Sequence, residues 1–301
     1  MKSNNLVSII MTCYNGEFFL EKAVKSIITQ TYPNWELIFY NNFSNDRSLE
    51  IIQNFQDPRI KYFTSDKLLN LGQVRKKAIE ACNGEYVCFL DVDDYWTDNK
   101  LEKQILKFKE NKHIDLIYTN YYLLNEKTKT EKNKKLCRGI RPKELLESYI
   151  DGNPLTAWLT VMVKAACVKK LEYTFDQNLH IASDMDFFIR LSQYCVIDYI
   201  DDFMAYYRIH NSNESKKKST EIAELAYICN KYQKNKEIKN FLIYKNFSDK
   251  IFIKNFLLNQ ISEDLIMRYK FSITKPTYRI IFLLIRILPK KILQKLSRYI
   301  S

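Results

Sequence analysis

The feature that most constrains this chain is a rhythm in its first third, where short apolar runs alternate with stretches of helical spacing. Residues 6–11 (LVSIIM) are continuously apolar and rich in β-branched side chains, as expected of a strand buried on both faces. Residues 17–30 then carry Phe19, Leu20, Ala23, Val24, Ile27 and Ile28 at i, i+3, i+4 spacing, which makes one apolar helix face. The alternation continues through a strand at 35–40 (WELIFY), a helix at 46–55 and a strand at 60–63. A helix at 72–82, closed by Asn83-Gly84, and a strand at 86–90 (YVCFL) complete it. Repeated units of this kind predict a doubly wound, mostly parallel α/β sheet, whose ligands bind beyond the carboxyl ends of the strands. After Tyr118 the rhythm changes. Residues 127–135 read as a polar, lysine-rich loop. Strands are expected at 161–163, 196–200 and 203–208, with a helix at 184–191. From Ser219 onward the pattern is helical. The expected organisation is a main domain over 1–215, with halves 1–118 and 119–215, and a helical C-terminal extension over 216–301.

The residues just past the strand at 86–90 are the first to demand chemistry. Asp91, Asp93 and Asp94 place three carboxylates within four residues. Mutual repulsion there would cost stability unless a cation offsets it. Alternation along an extended backbone puts Asp91 and Asp93 on one side, and hard oxygen ligands of this type suit Mg²⁺ or Mn²⁺. The plainer alternative is that Asp94 caps the amphipathic helix at 98–109.

The seven cysteines, Cys13, Cys82, Cys88, Cys137, Cys167, Cys195 and Cys229, are odd in number, scattered, and form no CxxC pair. They read as reduced thiols, not as a disulfide framework or a zinc ribbon. Met1 to Asn5 is polar and shows no secretory signal pattern, so a cytoplasmic compartment is expected. The formal net charge of +12 is concentrated at the C-terminus, where no acid follows Asp264 but Arg268, Lys270, Lys275, Arg279, Arg286, Lys290, Lys291, Lys295 and Arg298 do. Residues 279–296 mix these cations with Ile and Leu. The apolar run at 280–285 is far short of the ~20 residues a spanning helix needs; Arg286 sits inside the pattern, and Pro289 breaks or kinks the helix. A segment lying on an anionic membrane surface fits, as does a helix packed on protein.

Taken in order, several segments resemble the family-2 glycosyltransferases. They are VSIIMTCYNGEFFLEKAVKSIITQTYPNWEL, NLGQVRKKAIEACNGEYVCFLDVDD, SDMDFFIRL and YRIHNSNES, spread over roughly residues 6–212. The resemblance implies a GT-A fold and inverting, metal-dependent transfer from a nucleotide-sugar in bacterial surface-glycan synthesis, on the cytoplasmic face of the inner membrane. It implies that Thr12, Tyr14 and Asn15 line the nucleotide pocket, with Glu17 near the base or ribose, and that Asn41, Arg75 and Val92 belong to the same binding set. Asp91 would contact ribose or metal, and Asp93 would be the main ligand of Mn²⁺ or Mg²⁺. Arg208 and His210 would sit by the diphosphate, His210 as a further metal or phosphate contact. Asp184 would be the general base, with Asp186 competing for that role and helix capping by Ser183-Asp184 as the plainer reading. His180 is read as an acceptor-cleft or packing residue. Inverting transfer needs one base on the acceptor side and a cation at the departing diphosphate, and no covalent nucleophile.

Two departures stand out. Ser183 replaces the first acid of the family's acidic pair. Asn41-Asn42 stands where the family carries Asp-Asp or Asp-Asn, the first of which accepts the uracil N–H. An Asn carbonyl oxygen can accept the same bond without the charge, so uridine remains the expected base. The acceptor implied is a glycan, lipid-linked in view of the basic tail. An inactive relative acting as a binding subunit is the alternative. Nucleic acid is not an expected partner, since the basic residues lie beside Ile and Leu in place of an aromatic groove. The turn TCYNGEF lacks GxGxxG, which argues against a dinucleotide-dependent oxidoreductase. No QxxRW element or spanning segment points to a processive synthase.

Overall fold

The computed structural model describes residues 5–136 and 157–213, together with Glu224, Tyr227, Ile228 and Lys231. The first two stretches form one compact unit, and the four remaining residues, all helical, belong to a second. The basic segment at 279–296 lies outside the described residues.

The chain opens with β1 (Val7–Cys13), α1 (Leu20–Ile28), β2 (Trp35–Asn41), α2 (Ser48–Gln53) and β3 (Ile60–Thr64). Then come α3 (Leu71–Glu80), β4 (Tyr86–Phe89), β5 (Tyr95–Trp96) and α4 (Lys100–Glu110). The second half contributes β6 (Leu116–Asn125), β7 (Thr130–Lys134), β8 (Met162–Lys164), α5 (Ala165–Val168), α6 (Ser183–Leu191) and β9 (Ile197–Ile209). All nine strands join one sheet in the order β3-β2-β1-β4-β8-β6-β9-β5, with β7 beside β6. The pairs β1–β2, β2–β3, β1–β4 and β6–β9 are parallel, while β4–β8, β6–β8, β6–β7 and β5–β9 are antiparallel. This is the expected GT-A-type α/β sheet. Its β1 and β2 are buried along almost their whole length, as their largely apolar runs required, and the buried Glu36 of β2 is paired with Ser8 of β1 at 2.6 Å.

Three local differences from the sequence reading have physical causes. Helix α1 starts at Leu20, not at Glu17, because residues 17–19 form a turn in which Phe19 N and Leu20 N both bond to Gly16 O. Residues 127–135 are not a plain loop. Thr130–Lys134 pairs with Tyr121–Asn125 as a hairpin whose turn bonds to Asn125 Oδ1, an exposed ladder that carries no apolar signal. The strands expected at 196–200 and 203–208 are one strand, β9, bulged between Ile200 and Phe203. The exposed Asp201 and Asp202 occupy the bulge and broke the apolar pattern.

Two features set the site's framework. Chain order reverses at β1, which pairs with β2 on one side and β4 on the other, and sheets of this kind receive their ligands beyond the strand ends at such a point. Helix α3 begins in a capping box, with Asn70 accepting from Gln73 N and Gln73 accepting from Asn70 N. A Cβ on Gly72 would stand 2.3 Å from Asp176 O and 2.5 Å from Leu179 O, so only glycine lets this turn dock on the segment leading into α6. Within α4, Lys100 is fully buried, its Nζ donating to Gln104 Oε1 at 2.7 Å and lying 4.1 Å above the Trp96 ring. Gln104 Nε2 in turn donates to the carbonyls of Ile117 and Thr160.

Candidate active site

At the ends of β1 and β2 the two connecting loops are laced together by backbone and short polar side chains. Asn42 N donates to Cys13 O at 2.7 Å, Asn15 N to Ser44 Oγ at 3.0 Å, and Asn45 N to Asn15 Oδ1 at 2.9 Å. Asn15 and Phe43 both take left-handed backbone, with φ of 53° and 63°. Glu17 accepts the N–H and Nε–H of Arg47, while Asp46 accepts from Glu17 N and Ser48 N. Thr12 is half-buried on β1 opposite Tyr40, and Tyr14 projects from the strand end with half its surface open. Asn41 is buried, and its carbonyl oxygen accepts from Ser44 N at 3.2 Å, which leaves one lone pair for another donor. Asn42 uses both ends of its amide on the backbone of Leu69 and so pins the loop before α3.

The acidic cluster lies directly past β4. Single carboxylate oxygens of Asp91, Asp93 and Asp94 fall within 4.8 Å of one another, a set of hard donors that fits a divalent cation. Burial pushes the Asp91 carboxyl up to about 6, although 36% of its side chain is still open to solvent. Arg75 opposes that rise, whereas Asp93 and Asp184 add to it. Asp94 is buried and raised well above the usual carboxylate range by the same desolvation, with Asp93 and Asp91 adding to it. Asp94 does not cap α4. Its Oδ1 accepts from Arg208 N at 2.9 Å and so ties the cluster to β9. Asp93 Oδ2 receives His210 Nε2 at 2.9 Å and Asn213 Nδ2 at 3.2 Å. Ser212 Oγ lies 2.9 Å from His210 Nδ1, consistent with a ring that donates from Nε2 to the carboxylate and accepts at Nδ1. Val92 faces the first loop, where a Cβ on Gly16 would meet its Cγ2 at 3.0 Å.

Arg75 is the hinge between this cluster and the opposite wall. Its guanidinium is buried, 3.5 Å from Asp91 Oδ1, bonded to Ser183 Oγ at 2.9 Å, and stacked 4.1 Å above the Trp158 ring. Ser183, in the place where the resemblance led us to expect an acid, therefore answers Arg75 as a neutral acceptor. Its own hydroxyl donates to His180 O, and His180 Nδ1 accepts from Leu71 N, so His180 packs α6 onto α3. The two candidate bases are told apart by their surroundings. Asp186 is fully buried and paired with Arg190 at 2.9 Å, whereas Asp184 is half-buried and close enough to Asp91 to raise its pKa. The N-cap position of α6 is Ala182, without a side-chain bond, but Asp184 Oδ1 accepts from Met185 N at 2.7 Å in the first turn, so the capping reading holds in part.

Arg208 is also buried, with its guanidinium 5.2 Å from the Phe19 ring centroid and 4.7 Å from that of Tyr95, and with Nε 3.5 Å from Glu126 Oε1. Its Nη2 is buried without a hydrogen-bond partner. Phe19 lies 4.5 Å from the His210 ring, so one phenyl group touches both residues of the Arg-x-His segment. The structure thus gathers Asp91, Asp93, Arg75, Asp184 and His210 around one crevice, with Tyr14, Asn15 and Asn41 along its β1–β2 rim. Sequence reading missed Asn213, Phe19 and Trp158. Asn213 sat in view within NSNES, but a polar run gives no sign of which amide turns inward.

The profile of glycosyl transferase family 2 matches residues 8–163. An uncharacterised glycosyltransferase of Methanocaldococcus jannaschii is 32% identical over 215 residues, covering 68% of this chain and 71% of that protein. The UDP-Glc:alpha-D-GlcNAc-diphosphoundecaprenol beta-1,3-glucosyltransferase WfgD of Escherichia coli is 31% identical over 170 residues, 56% of this chain and 64% of that one. Among solved structures, S. aureus TarS 1–349 in complex with UDP-GlcNAc superposes with a TM-score of 0.66 at 17% identity, over 88% of this chain and 79% of the other. That identity speaks to the fold alone.

Proposed function

The chain belongs to glycosyl transferase family 2, and on that premise we propose that it moves one sugar, with inversion, from a uridine diphosphate sugar to a hydroxyl of a lipid-linked glycan in surface-polysaccharide synthesis. The observation that carries this reading is the pairing of a carboxylate cluster past β4 with one separate, half-buried carboxylate, Asp184, across the same crevice. Asp91 and Asp93 would hold Mn²⁺ or Mg²⁺, with His210 and Asn213 fixing the Asp93 carboxylate. The cation supplies charge stabilisation to the leaving diphosphate. Asp184 takes the acceptor O–H proton as that oxygen bonds the anomeric carbon and the carbon–phosphate-oxygen bond breaks. Arg75 holds Asp91 and Ser183 in one frame and so fixes the distance between the two halves of the reaction.

Support for a uridine donor comes from the family and from the free lone pair of Asn41. The relative WfgD, which by name acts on a diphosphoundecaprenol-linked sugar, supports the acceptor class. The basic segment at 279–296 supports a site on the cytoplasmic face of a membrane. No helix among the described residues is long and apolar enough to cross one. The test is a pair of variants. Asp184→Asn should lower kcat by about 10²–10⁴-fold with donor affinity kept, the loss of a general base. Asp93→Ala should abolish the Mn²⁺ dependence of donor binding, and in the wild type that dependence should weaken as pH falls through about 6, where Asp91 takes a proton. Full turnover by Asp184→Asn, or metal-independent donor binding by the wild type, removes the reading.

A further inference from the structure

We propose that Phe43 is a second aromatic wall of the donor site, stacking with Tyr14 about the nucleobase, and that its strained backbone is kept for that purpose. The inference rests on the nucleotide-sugar reading and adds to it a residue that determines donor affinity.

Phe43 is the one aromatic residue with positive φ among the described residues, at 63°, and the other non-glycine cases are Asn5, Asn15 and Lys129. Left-handed backbone crowds Cβ against the following carbonyl, and asparagine or glycine relieves that crowding far better than a bulky side chain. Nothing in the packing repays the strain, because Phe43 leaves 53% of its surface exposed. A strained, exposed aromatic ring on a tightly bonded loop is the combination in which strain points to function.

Its position says what the ring meets. Tyr14 lies between Cys13, whose O accepts from Asn42 N, and Asn15, whose N donates to Ser44 Oγ. Phe43 lies between Asn42 and Ser44, so the two residues sit on loops that are bonded to each other at the ends of neighbouring strands. Tyr14 is itself 50% exposed. Along the carboxyl edge of the sheet the order is β4, β1, β2. A diphosphate at the acidic cluster past β4 therefore carries its ribose over β1 and its base over β2. Two strand spacings of about 4.8 Å separate the cluster from the Phe43 loop, the reach of a nucleoside. On this proposal a base there would meet Tyr14 from the end of β1, Phe43 from the end of β2, and the side chain of Asn41, the last residue of β2.

The test separates strain from binding. In Phe43→Asn the loop keeps its backbone without the ring. The unliganded variant should melt no lower than the wild type, yet bind UDP with Mn²⁺ about fivefold or more weakly, the usual worth of one stacked base. Inorganic pyrophosphate, which has no base, should bind both proteins equally, and Phe43→Tyr should restore UDP affinity. UDP affinity unchanged in Phe43→Asn overturns the proposal while the donor reading stands. A wild type that binds no nucleoside diphosphate overturns both. A pyrophosphate affinity that falls along with UDP assigns Phe43 to general loop integrity and overturns it as well.

Discussion

Asn41 shows how a single changed atom alters what a pocket can read. Its carbonyl oxygen already serves Ser44 N at 3.2 Å. A carboxylate in the same place would serve that N–H with one oxygen and a uracil ring N–H with the other, charge-assisted. Asn41→Asp should therefore tighten UDP by about 1 kcal/mol, roughly fivefold, without improving CDP, whose ring nitrogen at that position accepts and does not donate. An unchanged ratio of UDP to CDP affinity would take Asn41 out of base recognition. Single residues were also where sequence reading was weakest. Asp184 and Asp186 are two apart on one helix start, and no pattern separates them. Only the Arg190 partner, which also bonds to the carbonyls of Tyr173 and Thr174, shows that Asp186 is bound into the scaffold. Ser183 likewise gains meaning only from Arg75, 108 residues away in the chain.

At the scale of elements the apolar runs told nearly everything about the buried strands and little about the rest. Strands β1, β2 and β4 were legible because each is enclosed on both faces. Strand β7 was not, because TEKNK pairs through its backbone with all five side chains exposed. Helix α4 was legible, but its interior holds something its amphipathic pattern conceals. Burial holds the Lys100 ammonium down to about 8, against 10.5 for a free lysine. Its folded pKa thus lies below its unfolded value, so between about pH 8 and 10.5 the unfolded chain carries more protons at this site. The contribution of Lys100 to stability must then rise with pH across that window. Buried thiols and phenols such as Cys88 and Tyr86, raised by desolvation, titrate in the opposite sense. The clean measurement is a difference: wild-type stability relative to Lys100→Met should increase from pH 8 towards 10.5. A flat difference would mean that the amine stays charged in its Gln104–Trp96 niche.

For the molecule as a whole, charge is divided unevenly between the main unit and the C-terminal segment. Nine cations follow Asp264 in the sequence, and no acid does. Near an anionic surface each would be worth roughly 1 kcal/mol, the basis of the membrane contact proposed above. Deleting residues 275–301 should release the protein from phosphatidylglycerol-containing vesicles while UDP binding is retained. Vesicle binding that persists would assign the contact to the main unit. The fold class was legible in the strand–helix rhythm. The clasp over the acidic cluster was not, because it depends on bonds that join sequence positions more than a hundred residues apart.

That clasp has a consequence for how the protein is made. Chains leave the ribosome from the N-terminus, and Asp93 and Asp94 emerge long before the residues that hold them. Asp94 waits for Arg208, and Asp93 waits for His210 and Asn213. A nascent chain that has emerged only through α4 already displays all three carboxylates, with Arg75 beside Asp91 but nothing yet bonded to Asp93 or Asp94 from β9 and its end. The clasp is completed by almost the last described stretch to be synthesised, so on the proposed donor reading an unfinished chain would lack the bonds that fix Asp93 and Asp94.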